Sequence, residues 1–141
     1  MVKYLLDTCI IISFFRGDKS LQSKILAAGI QNCAISELTL AELYIGPYRI
    51  LHSPASRIDA KEKARMQLQS IELLSETFKI LPVTNFAPKF ADVHEMLRAK
   101  GEPLEDFDLL IGTFASANKM TLVTRNKKHF DKIPDLKYEI W

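Results

Sequence analysis

Three acidic residues, Asp7, Glu42 and Asp108, stand in sequence surroundings where an unpaired charge would be costly. Asp7 follows a short apolar run and precedes three consecutive isoleucines at positions 10–12. On a helix, the neighbours of Glu42 three and four residues away would be mostly apolar or small. Asp108 would share its side of a helix with small residues. Because burying a charge without a partner costs free energy, these acids are candidates for a functional site.

Each acid also has an ordinary structural explanation. Asp7 could cap the helix that follows it, and Glu42 could be a partly exposed residue beside the core. Asp108 could be favoured by the dipole of a first helical turn, although Glu105 and Asp106 serve that purpose better. If the three acids converge, they repel one another unless a cation lies between them. Oxygen ligands select Mg²⁺ or Mn²⁺, which promote attack of water on phosphate esters. The residues alone leave that convergence open.

Short apolar runs alternate with helical patterns along the whole chain. The predicted strands are Val2–Leu6, Cys33–Ser36, Lys79–Val83, Thr121–Thr124 and, as a possible fifth, Tyr138–Trp141. The predicted helices are Cys9–Phe15, Ser20–Ala28, Leu38–Leu51 with a bend or break at Gly46-Pro47, Ala55–Thr77, a helix ending near Lys100, and Leu104–Ala117. This alternation predicts an α/β fold with a parallel sheet covered on both faces. Ligands of such sheets bind beyond the carboxyl ends of the strands, where Asp7 and Thr124 stand.

Length and composition predict one domain over residues 1–141. The chain has 141 residues, of which 48% are hydrophobic, and a net charge of +2, so it is no polycation. It lacks an apolar run of the ~20 residues that span a bilayer, and Asp7 interrupts any signal-peptide core, so we expect a cytoplasmic protein. Between Lys119 and Lys132 there are five basic residues and one acid, a stretch that could contact phosphate.

The chain resembles the PIN-domain nucleases and, among them, the VapC toxins of prokaryotic toxin–antitoxin pairs. The segments that carry the resemblance are Tyr4–Thr8, Leu38–Leu43 with Gly46, Gly101–Leu104, Asp108–Gly112, Leu122–Asn126 with Phe130, and Ile133-Pro134 with Trp141. They occur in the family's order and cover essentially the whole chain. The resemblance implies a PIN-like, three-layer α/β/α fold with a central parallel sheet of four to five strands.

The resemblance also implies a function, a Mg²⁺- or Mn²⁺-dependent endoribonuclease in which water attacks the phosphodiester without a covalent enzyme intermediate. Asp7 and Asp108 would be direct metal ligands, and Glu42 would complete the acidic pocket as a ligand or through water. The supporting polar residues would be Thr8, Thr124 and Asn126. The candidates for contact with the RNA substrate are Arg16, Arg49, Arg125, Lys127 and Lys128. The family further implies a cognate antitoxin protein as partner, and usually a homodimer.

The sequence departs from the family pattern at two positions. Cys9 stands where many members have Asn, and the neutral Asn126 stands where many have a fourth acid, which favours one metal ion over two. Asp106 is an additional acid near Asp108. An alternative interpretation is a non-catalytic PIN-like interaction or RNA-binding module. Haloacid-dehalogenase-like phosphatases are disfavoured, because the second Asp that they need falls on Cys9.

Overall fold

The structure, a computed structural model that describes residues 1–141, contains five strands, eight α-helices and a short 3-10 helix at Ile30–Asn32. The strands are β1 (Tyr4–Leu6), β2 (Cys33–Ser36), β3 (Lys79–Leu81), β4 (Thr121–Thr124) and β5 (Lys137–Ile140). The helices are α1 (Thr8–Phe15), α2 (Lys19–Ala28), α3 (Glu37–His52), α4 (Ile58–Glu72), α5 (Leu74–Thr77), α6 (Ala87–Ala99), α7 (Asp106–Ala117) and α8 (Lys127–Phe130). No helix combines the length and the apolar character that crossing a membrane requires.

The five strands form one parallel sheet in the order β3-β2-β1-β4-β5. β1 is central, and its Leu5 pairs with Ala34 of β2 on one side and with Leu122 of β4 on the other. The predicted α/β fold with a parallel sheet is therefore confirmed. The fifth strand is part of the sheet and begins one residue earlier than predicted.

Successive residues of the central strands point to opposite faces of the sheet and enter two separate cores. Leu6 and Val123 belong to a core shared with α1, α2, α3, α4 and α5. Leu5 and Leu122 belong to a second core shared with α6, α7 and α8. Both faces are covered, which explains why the central strands are apolar throughout rather than alternating. The result is the predicted three-layer α/β/α arrangement.

Two helix predictions differ from the structure. The predicted helix Ala55–Thr77 is divided into α4 and α5, and the chain turns at Leu73, which is exposed, before Leu74 enters the core. Of the two alternatives predicted at Gly46-Pro47, a bend or a break, the break is wrong, because α3 runs through from Glu37 to His52. Pro47 is buried, and α3 packs along α4, so side-chain packing compensates for the backbone hydrogen bond that proline cannot make.

The single-turn helix α8 was not predicted, and it packs closely against α7. Phe130 of α8 is fully buried in the second core, and Ile133 follows it there. Both side chains lie over Gly112, where a Cβ atom would come within 2.2 Å of Ile133 Cδ1 and 3.1 Å of a Phe130 ring carbon. Gly112, one of the small residues expected beside Asp108, therefore allows the close packing of α8 and the following Ile133 on α7.

We expect Gly112→Ala to lower the free energy of unfolding by about 1–3 kcal/mol, the usual cost of an extra methyl group in a filled core. Urea denaturation monitored by circular dichroism measures this change. Gly46→Ala is the matched control, because its added methyl group meets no atom within 4 Å. That control should gain about 0.5–1 kcal/mol from helix propensity. A Gly112→Ala variant as stable as the wild type would contradict the close packing of α8.

Candidate active site

A cleft of about 240 Å³ lies beyond the carboxyl end of the central strand β1. We call it the acidic cleft, and it is lined by Asp7, Thr8, Cys9, Ile12, Glu42, Glu105, Asp108, Asn126 and His129. All three acids singled out in the sequence line it. They come from three separate elements, the end of β1, the middle of α3 and the first turn of α7.

Asp7 is the most deeply buried of these acids, with only 3% of its surface exposed. Its Oδ1 accepts a hydrogen bond from the backbone N–H of Thr8 at 2.8 Å, so the residue caps α1 as well as lining the cleft. Its Oδ2 accepts from the hydroxyl of Thr124 at 2.7 Å and from the thiol of Cys9 at 3.4 Å. Burial raises the pKa of Asp7, and the charge of Asp108 adds to the shift, whereas the hydrogen bonds oppose it.

Glu42 faces Asp7 across the cleft from α3, and its Oε2 accepts a short hydrogen bond from the hydroxyl of Thr8. Burial raises the pKa of Glu42, and the negative charges of Asp7, Asp108 and Glu105 raise it further. The charge of Asp108 raises the pKa of both Asp7 and Glu42, so these carboxylates lie close enough to repel one another.

Asp108 is held at one oxygen by residues around α8. Its Oδ2 lies 2.5 Å from Nδ1 of His129 and 3.4 Å from Nδ2 of Asn126. No lysine or arginine forms an ion pair with Asp7, Glu42 or Asp108, whose only ion-pair partner is His129. The donors that hold the acids are otherwise a backbone N–H, two hydroxyls, a thiol and an amide. The negative charge of the cleft is therefore not neutralised by a Lys or Arg.

The acids line the walls of the cleft rather than meeting at one point. No three His, Cys, Asp or Glu side chains come close enough together to form a ready-made metal cage. Mg²⁺ does not require such a cage, because it is commonly held by one or two carboxylates, keeps several waters and also binds phosphate oxygens. The donor chemistry and the uncompensated charge thus fit a hard divalent cation.

The other predicted site residues are distributed around the acids. Thr8 and Asn126 line the cleft, and Thr124 is buried behind it on Asp7. Arg16 and Arg49 lie in a neighbouring groove of about 900 Å³ between α1, α3 and α4, which we call the α1–α3–α4 groove. The groove shares Thr8, Ile12 and Glu42 with the acidic cleft, so the two are continuous.

Three of the predicted RNA-contacting residues lie outside both cavities. Arg125 donates from Nε to the carbonyl of Trp141 at 2.7 Å, from Nη1 to Ser13 Oγ at 3.0 Å and from Nη2 to Asp18 Oδ2 at 2.7 Å. Its guanidinium is thus occupied in joining β4 to α1, α2 and the end of β5. The adjacent Lys127 and Lys128 are exposed on α8 and line neither cavity.

Besides the apolar Ile12, three residues that line the cleft are not among the predicted site residues, and the sequence spacing of each one indicates its position. Glu105 precedes Asp108 by three residues, which places both on one side of α7 near its start. His129 follows Asn126 by three residues on the turn after β4. Cys9 follows Asp7 by two residues, and burial together with the charge of Asp7 raises the pKa of its thiol. The thiol therefore stays protonated and is a donor to Asp7.

Comparisons with known proteins identify the family. The family model described as the PIN domain matches residues 4–136. Ribonuclease VapC2 of Rickettsia felis is 32% identical over 144 residues, covering 98% of this chain and 97% of that protein. A crystal structure of VapBC2 from Rickettsia felis, bound to a DNA fragment from its promoter, superposes with a TM-score of 0.77 at 28% identity, covering 100% and 99% of the two chains. DNA-bound VapBC from Salmonella typhimurium gives 0.79 at 26% identity, with the same coverage.

We expect Glu42→Gln to raise the thermal unfolding midpoint at neutral pH in the presence of EDTA. An acid whose pKa is higher in the folded than in the unfolded chain binds its proton more readily when folded. The free energy of unfolding therefore falls as the pH rises above the usual glutamate value of 4.5. Glutamine removes that penalty, so the advantage of the variant should be largest at neutral pH and should vanish in acid. Differential scanning calorimetry between acid and neutral pH measures the difference.

Glu62→Gln, on the exposed surface of α4, controls for the loss of one negative charge. If Glu42→Gln and Glu62→Gln had the same pH profile, the raised pKa of Glu42 in the acidic cleft would be refuted.

Proposed function

The chain belongs to the PIN-domain family, among the VapC ribonucleases, and from this premise we propose that it is an endoribonuclease toxin whose acidic cleft is the active site. One observation carries the assignment of the site. Three carboxylates from different elements line one cleft without any Lys or Arg partner, and burial together with the charge of Asp108 raises the pKa of Asp7 and of Glu42. Clusters of carboxylates that repel one another occur mainly at functional sites. We propose further that residues 1–141 act as one nuclease domain.

We propose Mg²⁺ or Mn²⁺ as the cofactor. Asp7 and Asp108 would hold it, and Glu42 would complete the site directly or through water. When bound, such a cation acts as a Lewis acid that favours ionisation of the attacking water and stabilises charge on the phosphate. The neutral Asn126 at the fourth position supports a single cation. Asp106 is exposed and does not line the cleft, so we assign it no role in binding.

The residues of the chain would position water and substrate for in-line hydrolysis. The hydroxyl of Thr124 holds one oxygen of Asp7, and the hydroxyl of Thr8 holds one oxygen of Glu42. The fold therefore fixes the orientation of both carboxylates. Glu42 Oε1 accepts no hydrogen bond from the protein, and the raised pKa of this carboxyl suits it to take a proton from the attacking water. Hydroxide attacks phosphorus, the ribose oxygen leaves with the bonding electrons, and no covalent enzyme intermediate forms.

We propose that the α1–α3–α4 groove contacts the RNA strand next to the cleaved bond. Three cations, Arg16, Arg49 and Lys63, and two phenylalanines, Phe15 and Phe107, line it. Cations for the phosphates and aromatic rings for the bases are the usual means of binding single-stranded RNA. Because the groove is continuous with the acidic cleft, a strand lying in it would present a phosphodiester to the acids.

The partner that we propose is a cognate antitoxin protein that covers the acidic cleft. The most similar solved structures include VapBC assemblies of a toxin with its antitoxin, which supports this choice. A homodimer, which the family resemblance implies, and a cytoplasmic location, which the sequence itself suggested, are further expectations. Exposed apolar side chains on α3, namely Ile45 and Tyr48, are candidates for protein contacts.

We expect Asp7→Asn and Asp108→Asn each to slow RNA cleavage by ~100-fold or more, a typical cost of losing one charge-stabilising group in an active site. Cleavage of labelled RNA is followed on denaturing gels with Mg²⁺, with Mn²⁺ and with EDTA. The wild type should cut with either metal ion and should stop when EDTA removes it.

Asp106→Asn is the matched control for these substitutions, because it removes the same charge two residues from Asp108 without touching the cleft. It should cleave RNA like the wild type. If Asp7→Asn and Asp108→Asn kept full activity while folded, the acidic cleft would not be the active site.

We expect the double variant Arg16→Ala/Arg49→Ala to bind RNA with a weaker salt dependence. Each lost phosphate contact should reduce the slope of log affinity against log salt by about 0.7, so the double variant should lose about 1.4. Fluorescence anisotropy with single-stranded RNA measures the slopes in an Asp7→Asn background with EDTA, which suppresses cleavage. The control Arg57→Ala/Arg98→Ala removes two exposed cations outside the groove and should keep the parent slope. Equal slopes for both double variants would refute the RNA groove.

A further inference from the structure

His129 is a residue of the acidic cleft to which the proposed mechanism gives no role. Its Nδ1 lies 2.5 Å from Oδ2 of Asp108, and its side chain is 35% exposed, whereas that of Asp108 is 13% exposed. The ring therefore stands at the mouth of the cleft and contacts the acid from the solvent side. No other ionisable residue forms an ion pair with any of the three acids.

The backbone that carries His129 is well anchored, although α8 is only one turn long. Thr124 Oγ1 accepts a hydrogen bond from the backbone N–H of Asn126 at 3.0 Å, and the backbone N–H of His129 bonds to the carbonyl of Asn126 at 3.2 Å. The next residue, Phe130, is fully buried and packs over Gly112 of α7. Since Asp108 also lies on α7, the packing that holds α8 sets the distance between the imidazole ring and the carboxylate.

The three acids of the cleft share a pattern, in which one oxygen is held by a side-chain donor from another element. Thr124 of β4 holds Asp7, and Thr8 at the start of α1 holds Glu42. At Asp108 the corresponding donor is His129, and Oδ1 of Asp108 accepts no hydrogen bond from the protein. We propose that His129 is a positioning residue that holds Asp108 Oδ2, so that Oδ1 is presented to the cation in the cleft.

The position of the proton on the ring follows from the contacts of Nδ1. This nitrogen lies 2.7 Å from the side-chain amide of Asn126 as well as 2.5 Å from Asp108. It carries either a proton or a lone pair, so it cannot donate to Asp108 and accept from Asn126 at once. The contact with the carboxylate is the shorter one and involves a charge, so Nδ1 carries the proton and donates.

This inference rests on the proposed function, because it concerns how Asp108 is held for the cation. Donors that hold a ligating group from behind typically contribute 10- to 100-fold to metal affinity or activity. Two alternative roles of His129 predict different experimental outcomes. A merely structural role would change stability but not cation binding, and a direct contact of the ring with RNA would change KM without changing cation binding.

Two substitutions distinguish these roles, because each one places an amide group where one of the two ring nitrogens of His129 lies. The amide nitrogen of Asn occupies the place of Nδ1, so His129→Asn keeps the donor to Asp108. The amide of Gln occupies the place of Nε2, so His129→Gln removes the donor while keeping a polar group of similar size. His129→Ala removes both positions and serves if His129→Gln should fold poorly. Thermal unfolding in EDTA establishes that each variant is folded.

The experiment titrates Mn²⁺ into each variant without RNA and follows free Mn²⁺ by electron paramagnetic resonance. We expect His129→Gln and His129→Ala to bind Mn²⁺ about 10- to 100-fold more weakly than wild type, and His129→Asn to bind close to wild type. In RNA cleavage assays at fixed Mn²⁺, kcat should fall in the same order while KM for RNA stays constant.

Wild-type Mn²⁺ affinity in His129→Gln and His129→Ala would overturn the proposal, and so would equal losses in His129→Asn and His129→Gln. A change confined to KM would overturn it in favour of RNA contact. Asp108→Asn in the same titration separates this inference from the proposed function. If Asp108→Asn binds Mn²⁺ like wild type, the proposed metal site itself is wrong. If Asp108→Asn loses Mn²⁺ and His129→Gln does not, only the role of His129 is wrong.

Discussion

A carboxylate buried at the end of a central strand is the constraint on which the rest of this structure depends. Asp7 is almost inaccessible to solvent, and its ionised form is stable there only because hydrogen-bond donors replace water. One donor, the backbone N–H of Thr8, comes from the start of α1 that Asp7 caps. Another, the hydroxyl of Thr124, comes from the neighbouring strand β4. The charged site thus requires the pairing of β1 with β4, which are separated by more than a hundred residues in the chain.

The strand order explains why the cleft opens at this place. β1 lies between β2 and β4, and the helices that follow β1 and β4 pack on opposite faces of the sheet. α1 enters the core with Leu6, whereas α8 enters the core with Leu5. When the helices that follow two adjacent strands pack on opposite faces of the sheet, a crevice is left beyond the carboxyl ends of those strands. Asp7 stands at the base of that crevice, and α3 and α7 bring the other two acids to its sides.

The sequence was informative where a local pattern carried the signal and uninformative where distant segments meet. The apolar runs predicted the strands, and the apolar surroundings of Asp7 and Glu42 marked them as unusual. The contact between Asp7 and Thr124 has no local signal, because it depends on strand order. A single turn such as α8 is too short for apolar periodicity to reveal it, so the sequence pattern does not point to His129. Arg125 lies in a basic stretch that suggested phosphate contact, yet its partners Ser13, Asp18 and Trp141 are remote in the chain.

The way in which the acids are held also bears on what the cleft can bind. A lysine or arginine beside each acid would have stabilised the fold, but it would have neutralised the charge that attracts a cation and would have competed for the same oxygens. Hydroxyls, a thiol and backbone N–H groups fix the orientation of a carboxylate and leave its charge in place. The cost is burial of charged groups, with repulsion between them added, and it is visible in the raised pKa values of Asp7 and Glu42. Two well-packed cores, one on each face of the sheet, offset that cost. The site can therefore keep its charge while the domain stays folded.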